Sequence, residues 1–309
     1  MQKSNPDVGV LGAGAVGCFF GGMLARAGHP VTLIGRPLHV EAFRSSGLRF
    51  EGLKFDQRVA VEASTEPAAV RGARLVLFCV KSTDTEQAAA QIAPHLDPDA
   101  VVVNLQNGVD NTERIAARVS QPVVPAVVYV ATEMAGPGHL KHHGRGDLVI
   151  GATDARATAA VLSQVKQWFD AAGVPVVVSD NVTGELWMKL VVNCAYNALS
   201  AITQLPYGRM IEGQGVRETM GAVVEELLAV AKAGGVAMPP EVLKKTLGVA
   251  GAMPTQFSST AQDLARGKPT EIDHLNGFIV RRGAALGIPT PVNRALHALV
   301  KLLESKIGV

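Results

Sequence analysis

The sequence predicts an α/β domain over residues 1–180 followed by an all-helical domain over 181–309. Three observations predict it. β-rich runs alternate with helical patterns through the first 180 residues, and a glycine cluster stands between the first strand and the first helix. After Asn181 the long apolar-periodic segments contain no comparable β-rich run. The length of 309 residues also suits two domains at roughly 100–200 residues each.

Residues 7–11 (DVGVL) are a short β-rich run, 15–28 a helix closed at Gly28, and 31–34 (VTLI) a second strand, which together make a βαβ unit. Further strands are expected at 59–63, 75–80 (LVLFCV), 101–105 (VVVNL) and 123–130 (VVPAVVYV), with helices between several of them. That alternation implies a parallel sheet covered by helices on both faces. The stretch 130–151 reads as a pair of short strands with turns, 155–172 as a helix, and 174–179 (VPVVVS) as the strand that closes the domain. Helices are then expected at 183–202, 216–234, 239–249, 271–287 and 292–306. With no repeat and no flexible linker between them, the two domains are expected to pack closely, with their shared cleft as the site.

Composition narrows the function. Hydrophobic residues make up 48% and charged ones 18%, which favours a folded enzyme over a disordered chain. The formal net charge is only +2 and no Lys/Arg block runs along the sequence, so no nucleic-acid partner is expected. Apolar runs stop far short of the ~20 residues a membrane helix needs, so no membrane partner is expected either. The N-terminal apolar stretch carries a glycine cluster in its middle and no clear cleavage site, so it reads as mature protein. Cys18, Cys79 and Cys194 are odd in number and lack C-x-x-C spacing, which fits a reduced, cytoplasmic compartment. His139, His142 and His143 lie in a glycine-rich hairpin without carboxylates at metal spacing; they read as a solvated turn, and no metal is expected.

The glycine cluster is G-A-G-A-V-G, Gly12 to Gly17. It follows a strand and opens a helix, the context that makes G-x-G-x-x-G a Rossmann fingerprint. Gly12 permits the tight turn, Gly14 lets backbone approach a pyrophosphate, and Gly17 lets the helix pack closely on the strand. Ala15 and Val16 begin the helix, whose free N–H groups and positive dipole end suit phosphates. Where an NAD-binding unit carries an acidic residue for the ribose 2′-hydroxyl, this chain has Gly35-Arg36. A guanidinium there pairs with a 2′-phosphate, which favours NADP (NADPH). The competing reading is that Arg36 is an ordinary surface residue. Lys81, after LFCV, and Asn107, in LQNG, stand at two more strand ends, where open α/β sheets place ligands. Each alone is equally a turn residue.

The segment ELWMKLVVNCAYNALSAI at 185–202 carries Lys189, Asn193 and Asn197 at steps of four. Each step advances about 400°, so the three share one face of an otherwise apolar helix. Such a stripe either faces solvent or converges on a polar ligand, because burying it unpaired costs several kcal/mol. Asparagine is a poor choice for a merely solvated helical position, which favours the ligand. A lysine so placed is suited to protonate a carbonyl oxygen as hydride arrives. Further on, Thr270-Glu271-Ile272-Asp273 has the form of a helix start, with Thr270 capping and Asp273 reaching back, and Ser259 is placed to cap the helix through Gln262.

Taken in order, GAGAVG with its following arginine, LFCVKS, LQNGV, ELWMKLVVNCAYNALSAI and SSTAQDLARGKPTEIDHLNG resemble the ketopantoate reductase (2-dehydropantoate 2-reductase) family over nearly the whole chain. The resemblance implies NADPH-dependent reduction of 2-dehydropantoate to (R)-pantoate, on the way to pantothenate and coenzyme A. It places the catalytic lysine on Lys189 and its acidic partner on Glu271. Substrate amides fall on Asn193 and Asn197, and a hydroxyl for the substrate carboxylate on Ser259. Cofactor positions fall on Gly12, Gly14, Ala15, Val16, Gly17, Arg36, Lys81 and Asn107. The chain departs from the family pattern at Pro206-Tyr207-Gly208, where Pro-Asn-Gly is common, and at Thr260, where methionine is common. The implied partner is a small-molecule 2-oxo acid, with a homodimer allowed. A reductase of another branched 2-oxo acid and a non-catalytic NADPH-binding sensor are the alternatives; intact Lys189 and Glu271 argue against the sensor.

Overall fold

The computed structural model describes residues 6–306. The chain divides into two compact units, one running to Val182 and the other from Thr183. In the first, the elements run β1 (Val8–Leu11), α1 (Ala15–Arg26), β2 (Val31–Ile34), α2 (Pro37–Ser46), β3 (Leu48–Glu51), β4 (Asp56–Val59), β5 (Glu62–Ser64), β6 (Leu75–Phe78), α3 (Thr85–Ile92), β7 (Val101–Asn104), α4 (Asn111–Ala116), β8 (Val123–Gly136), β9 (His139–Ile150), α5 (Ala159–Ala171) and β10 (Val176–Val178).

Strands β1, β2, β6 and β7 are four-residue runs in which every residue is buried, the pattern of strands covered on both faces. They pair in parallel and end together: Leu11 lies beside Ile34 and Phe78, and Phe78 beside Asn104. The loops that follow them therefore emerge at one edge of the sheet. α1 packs by its aromatic face, where Phe20 meets Phe169 of α5 edge-on at 5.9 Å and Phe19 meets Phe50 of β3 at 5.6 Å. Both α1 rings are buried, each worth roughly 1.5–3 kcal/mol over leaving it in water.

The full sheet order is β4-β3-β9-β8-β7-β6-β1-β2-β5, with β10 also on β9. It is mixed rather than wholly parallel, because β3 pairs antiparallel with β4 and β8 antiparallel with β9. The strand expected at 123–130 and the short strands of 130–151 are in fact one long hairpin over 123–150, with strands of 14 and 12 residues. Its register shifts at three places, so glycines that read as turns are absorbed as bulges within the ladder. The expected strand at 59–63 is two strands, β4 ending at Val59 and β5 starting at Glu62. β3, with Leu48 and Phe50 facing the core, is too short for its alternation to stand out in sequence.

The second unit is helical: α6 (Val182–Thr203), α7 (Tyr207–Met210), α8 (Val216–Ala233), α9 (Val242–Ala252), α10 (Ser259–Ala265), α11 (Asn276–Leu286) and α12 (Pro291–Glu304). The helix expected from 239 begins at 242, after Pro239-Pro240, and the one expected from 271 begins as α-helix only at Asn276. A buried polar network joins four helices. Asn276 Nδ2 donates to the Cys194 carbonyl of α6 (3.1 Å) and to Asn293 Oδ1 of α12 (3.0 Å), and Asn293 Nδ2 donates to Glu226 Oε2 of α8 (2.8 Å). Among the described residues no helix is long and apolar enough to cross a membrane.

Candidate active site

The turn after β1 is shaped by Gly12, whose φ of +103° is costly for any side chain. A Cβ there would also lie 2.6 Å from the Cys79 carbonyl carbon. Gly17 has a Cβ position only 2.3 Å from the Gly12 carbonyl oxygen, so helix and loop touch. Gly14 is the opposite case, exposed and with no atom within 4 Å of a Cβ. It caps α1 without a side chain, no acidic residue occupies the first turn, and Ala15 and Val16 are partly exposed. An open cradle at a helix N-terminus is the form a pyrophosphate requires, so these residues fit a dinucleotide.

Gly12 and Ala13 both donate backbone N–H bonds to the Ile34 carbonyl (2.9 Å each), tying the loop to the end of β2. A Cβ at Gly35 would meet Ala13 Cβ at 2.8 Å, which leaves no room for an acidic side chain there. Arg36 is the first side chain past the strand; it is exposed at the start of α2. Lys81 follows β6 and is exposed, and Asn107 follows β7 and is half-buried. The glycine loop, Arg36, Lys81 and Asn107 thus stand at the common carboxyl edge of four registered strands. Cys79, beside the loop, has its thiol pushed well up by burial and is no thiolate.

In the helical unit, Lys189 and Asn193 are half-buried on α6 and Asn197 is buried at 2% exposure. The stripe is therefore not a simple solvent face. Two segments are pinned to this helix. Ser258 Oγ donates to the Asn197 carbonyl (3.2 Å), and Asn276 reaches Cys194 as described. Ser258, not Ser259, caps α10, accepting from the Ala261 N–H at 3.0 Å, a contact worth ~1 kcal/mol. Ser259 is released from that duty and is exposed in the first turn.

The expected capping box at Thr270 is replaced by a different arrangement. Thr270 Oγ1 accepts from the Ile272 N–H (3.2 Å), but Asp273 turns away to His297 Nε2 (2.6 Å) and Lys301 Nζ (2.9 Å) of α12. Glu271, half-buried, begins a short 3₁₀ turn between these two anchored residues. The Asp273 carboxyl lies below its ordinary range: burial raises it, but hydrogen bonds from His297 and Lys301 outweigh that. Tyr207 is buried at 8% exposure with its ring 4.6 Å from that of Tyr196, and its N–H donates to the Gln256 carbonyl. Sequence reasoning missed Ser258 and Asn276, because a single Ser or Asn in a helical pattern gives no signal of what it anchors.

The hairpin histidines have separate partners: His139 pairs with Glu51 (2.9 Å), His143 with Glu133 (3.0 Å), and His142 bonds the Arg145 carbonyl. No group of three His, Cys, Asp or Glu that could hold a metal occurs among the described residues.

Residues 8–155 match the family model described as Ketopantoate reductase PanE/ApbA, and residues 181–304 match the model of its C-terminal part. The chain belongs to the ketopantoate reductase family. A 2-dehydropantoate 2-reductase of Pyrococcus horikoshii is 34% identical over 304 residues, covering 97% of this chain and 98% of that one. A crystal structure of a PanE/ApbA family ketopantoate reductase from Ralstonia eutropha JMP134 is 59% identical, with a TM-score of 0.93 over 98% of this chain and 99% of that one. D-mandelate dehydrogenase, solved with NADH and anilino(oxo)acetate, shares the fold at a TM-score of 0.91 and 24% identity, covering 98% and 99%. Ketopantoate reductase family members thus share both units of this chain in the same order.

Proposed function

We propose that this chain reduces 2-dehydropantoate to (R)-pantoate with NADPH. The observation that carries the reading is family membership across both units together with Lys189 on the polar stripe of α6. NADPH, when bound, supplies the hydride that converts the 2-oxo carbon to an alkoxide. Gly12, Gly14, Ala15, Val16 and Gly17 hold its pyrophosphate, Arg36 reads the 2′-phosphate, and Lys81 and Asn107 line the rest of the cofactor. The Lys189 ammonium hydrogen-bonds the substrate carbonyl oxygen and gives it a proton as negative charge develops there. Glu271 orients the substrate, Asn193 and Asn197 bind its polar groups by their amides, and the Ser259 hydroxyl donates to its carboxylate. The domain division we assign is 1–180 for cofactor and 181–309 for substrate.

A second reading keeps all of this and changes the substrate's side chain to that of another branched 2-oxo acid. Tyr207 favours it, since an aromatic ring packed on Tyr196 stands where an amide is common in the family. NADPH oxidation with 2-dehydropantoate beside a panel of 2-oxo acids separates the two: turnover confined to 2-dehydropantoate supports the first, and turnover only with another acid supports the second. We also assign the protein to the cytoplasm. Its three free cysteines support that compartment.

A further inference from the structure

Behind the loops that carry Lys81 and Asn107 lies a buried cluster that takes no part in the chemistry just described. Asn111, at the start of α4, is 1% exposed, and Ser82 is fully buried. The orientation of the Asn111 amide is fixed by Arg114. A guanidinium only donates, so the contact from Arg114 Nη1 at 2.5 Å identifies the facing atom as Oδ1. That leaves the amide NH2 to point the other way, where Nδ2 donates to Ser82 Oγ (3.0 Å) and to the Asn107 carbonyl (2.6 Å). Ser82 Oγ itself donates to the same Asn107 carbonyl at 3.2 Å. One side chain therefore clasps the loop after β6 to the loop after β7.

Arg114 is in turn held in place. Its Nε and Nη2 form a bidentate pair with Glu86 at 2.7 and 2.6 Å, and Nη2 also donates to the Ser82 carbonyl at 2.8 Å. Bidentate guanidinium–carboxylate geometry fixes direction as well as distance. The chain of contacts runs from Glu86 on α3 through Arg114 and Asn111 on α4 to the two strand-end loops.

We propose that Asn111, oriented by the Arg114–Glu86 pair, is a positioning residue for the cofactor: it sets the spacing of the loops that present Lys81 and Asn107. This rests on the reading that those loops bind NADPH. It touches neither substrate nor reacting atoms, so its effect is on cofactor affinity and not on recognition of the 2-oxo acid.

Fluorescence titration with NADPH and steady-state kinetics on Asn111→Ala, Asn111→Asp and Ser82→Ala test it, with folding followed by thermal melting. Losing the hydrogen bonds to Ser82 Oγ and the Asn107 carbonyl is expected to raise the NADPH dissociation constant and KM by about tenfold in N111A. N111D keeps the shape but lacks the donors, so it is expected to behave as N111A. S82A removes one link and is expected to give a smaller rise, about threefold, and it decides the matter if N111A does not fold. The KM for the 2-oxo acid is expected to move less than twofold in all three. Folded variants with unchanged NADPH affinity, or with equal losses for both ligands, overturn the assignment. Wild-type protein that binds no NADPH overturns the proposed function along with it, which distinguishes the two failures.

Discussion

Thr270 directs both of its donors to a single oxygen of Glu304. Its N–H donates to Oε1 at 2.8 Å and its hydroxyl donates to the same atom. Glu304 lies at the end of α12, and Lys301 one turn earlier bonds both Glu304 Oε2 (2.6 Å) and Asp273. The two residues flanking the Glu271 segment are thus held by one helix end. The Glu304 carboxyl sits below its ordinary range: burial raises it, but Lys301 and Thr270 outweigh that. A depressed carboxyl stabilises the fold above its unfolded pKa and loses that contribution as pH falls through the folded value. Glu304→Ala is expected to lower turnover of the 2-oxo acid about tenfold while leaving NADPH affinity unmoved, as kinetics and titration would read. Glu304→Gln is expected to show a smaller fall in melting temperature between pH 6 and pH 3 than the wild type.

Glu86 is the second acid-sensitive group. Its hydrogen bonds from Arg114 hold its carboxyl down to about 2. Its stabilising effect is complete above the unfolded value near 4.3 and is lost only toward pH ~2. Because the Glu86 side chain is 46% exposed, solvent screening limits that effect to roughly 1 kcal/mol. The NADPH dissociation constant is therefore expected to owe no change to this pair between pH 5 and pH 8, and Arg114→Met is expected to raise that constant uniformly across the range. A rise confined to one end of the range would tie the effect to a different group.

Gly12 admits no side chain without distortion. Gly12→Ala must relieve both a left-handed φ and a 2.6 Å approach to Cys79, a strain of at least about 1–3 kcal/mol. Weakened NADPH binding by tenfold or more, with a lowered melting temperature, is the expected result in titration and calorimetry.

Arg36 is expected to act on one phosphate only. Arg36→Ala should weaken NADPH by about tenfold or more and NADH by less than twofold, compared by titration of both cofactors on the same preparation. Proportional losses would mean that the guanidinium does not read the 2′-phosphate.

The architecture was largely legible in the sequence because its signals are local. GAGAVG between a strand and a helix, and four runs of apolar β-formers, specify the parallel centre of the sheet, and the steps of four in 185–202 place the α6 stripe. The antiparallel additions were not legible. β4 buries only Val59, and the hairpin strands carry glycines and histidines that resemble a turn until pairing across β8 and β9 is known. At the candidate site, candidate residues could be proposed from the sequence, but what holds the segments that carry them could not. Ser258 displaced Ser259 as the cap, because a pair of serines offers two equal caps until tertiary contact with Asn197 decides between them. Asp273 left the expected box because His297 and Lys301, 24 and 28 residues away, each offered it a hydrogen bond from α12.

Lys189 is the residue proposed to protonate the 2-oxo acid during NADPH-driven reduction. Its most direct test is NADPH oxidation by wild type and Lys189→Ala with saturating 2-dehydropantoate, alongside NADPH titration of both proteins. Brisk turnover by the wild type, a fall of roughly 10²–10⁴ in the variant, and NADPH dissociation constants within twofold of each other are expected. Retained turnover in the variant, or a loss of NADPH affinity as large as the loss of turnover, would contradict it.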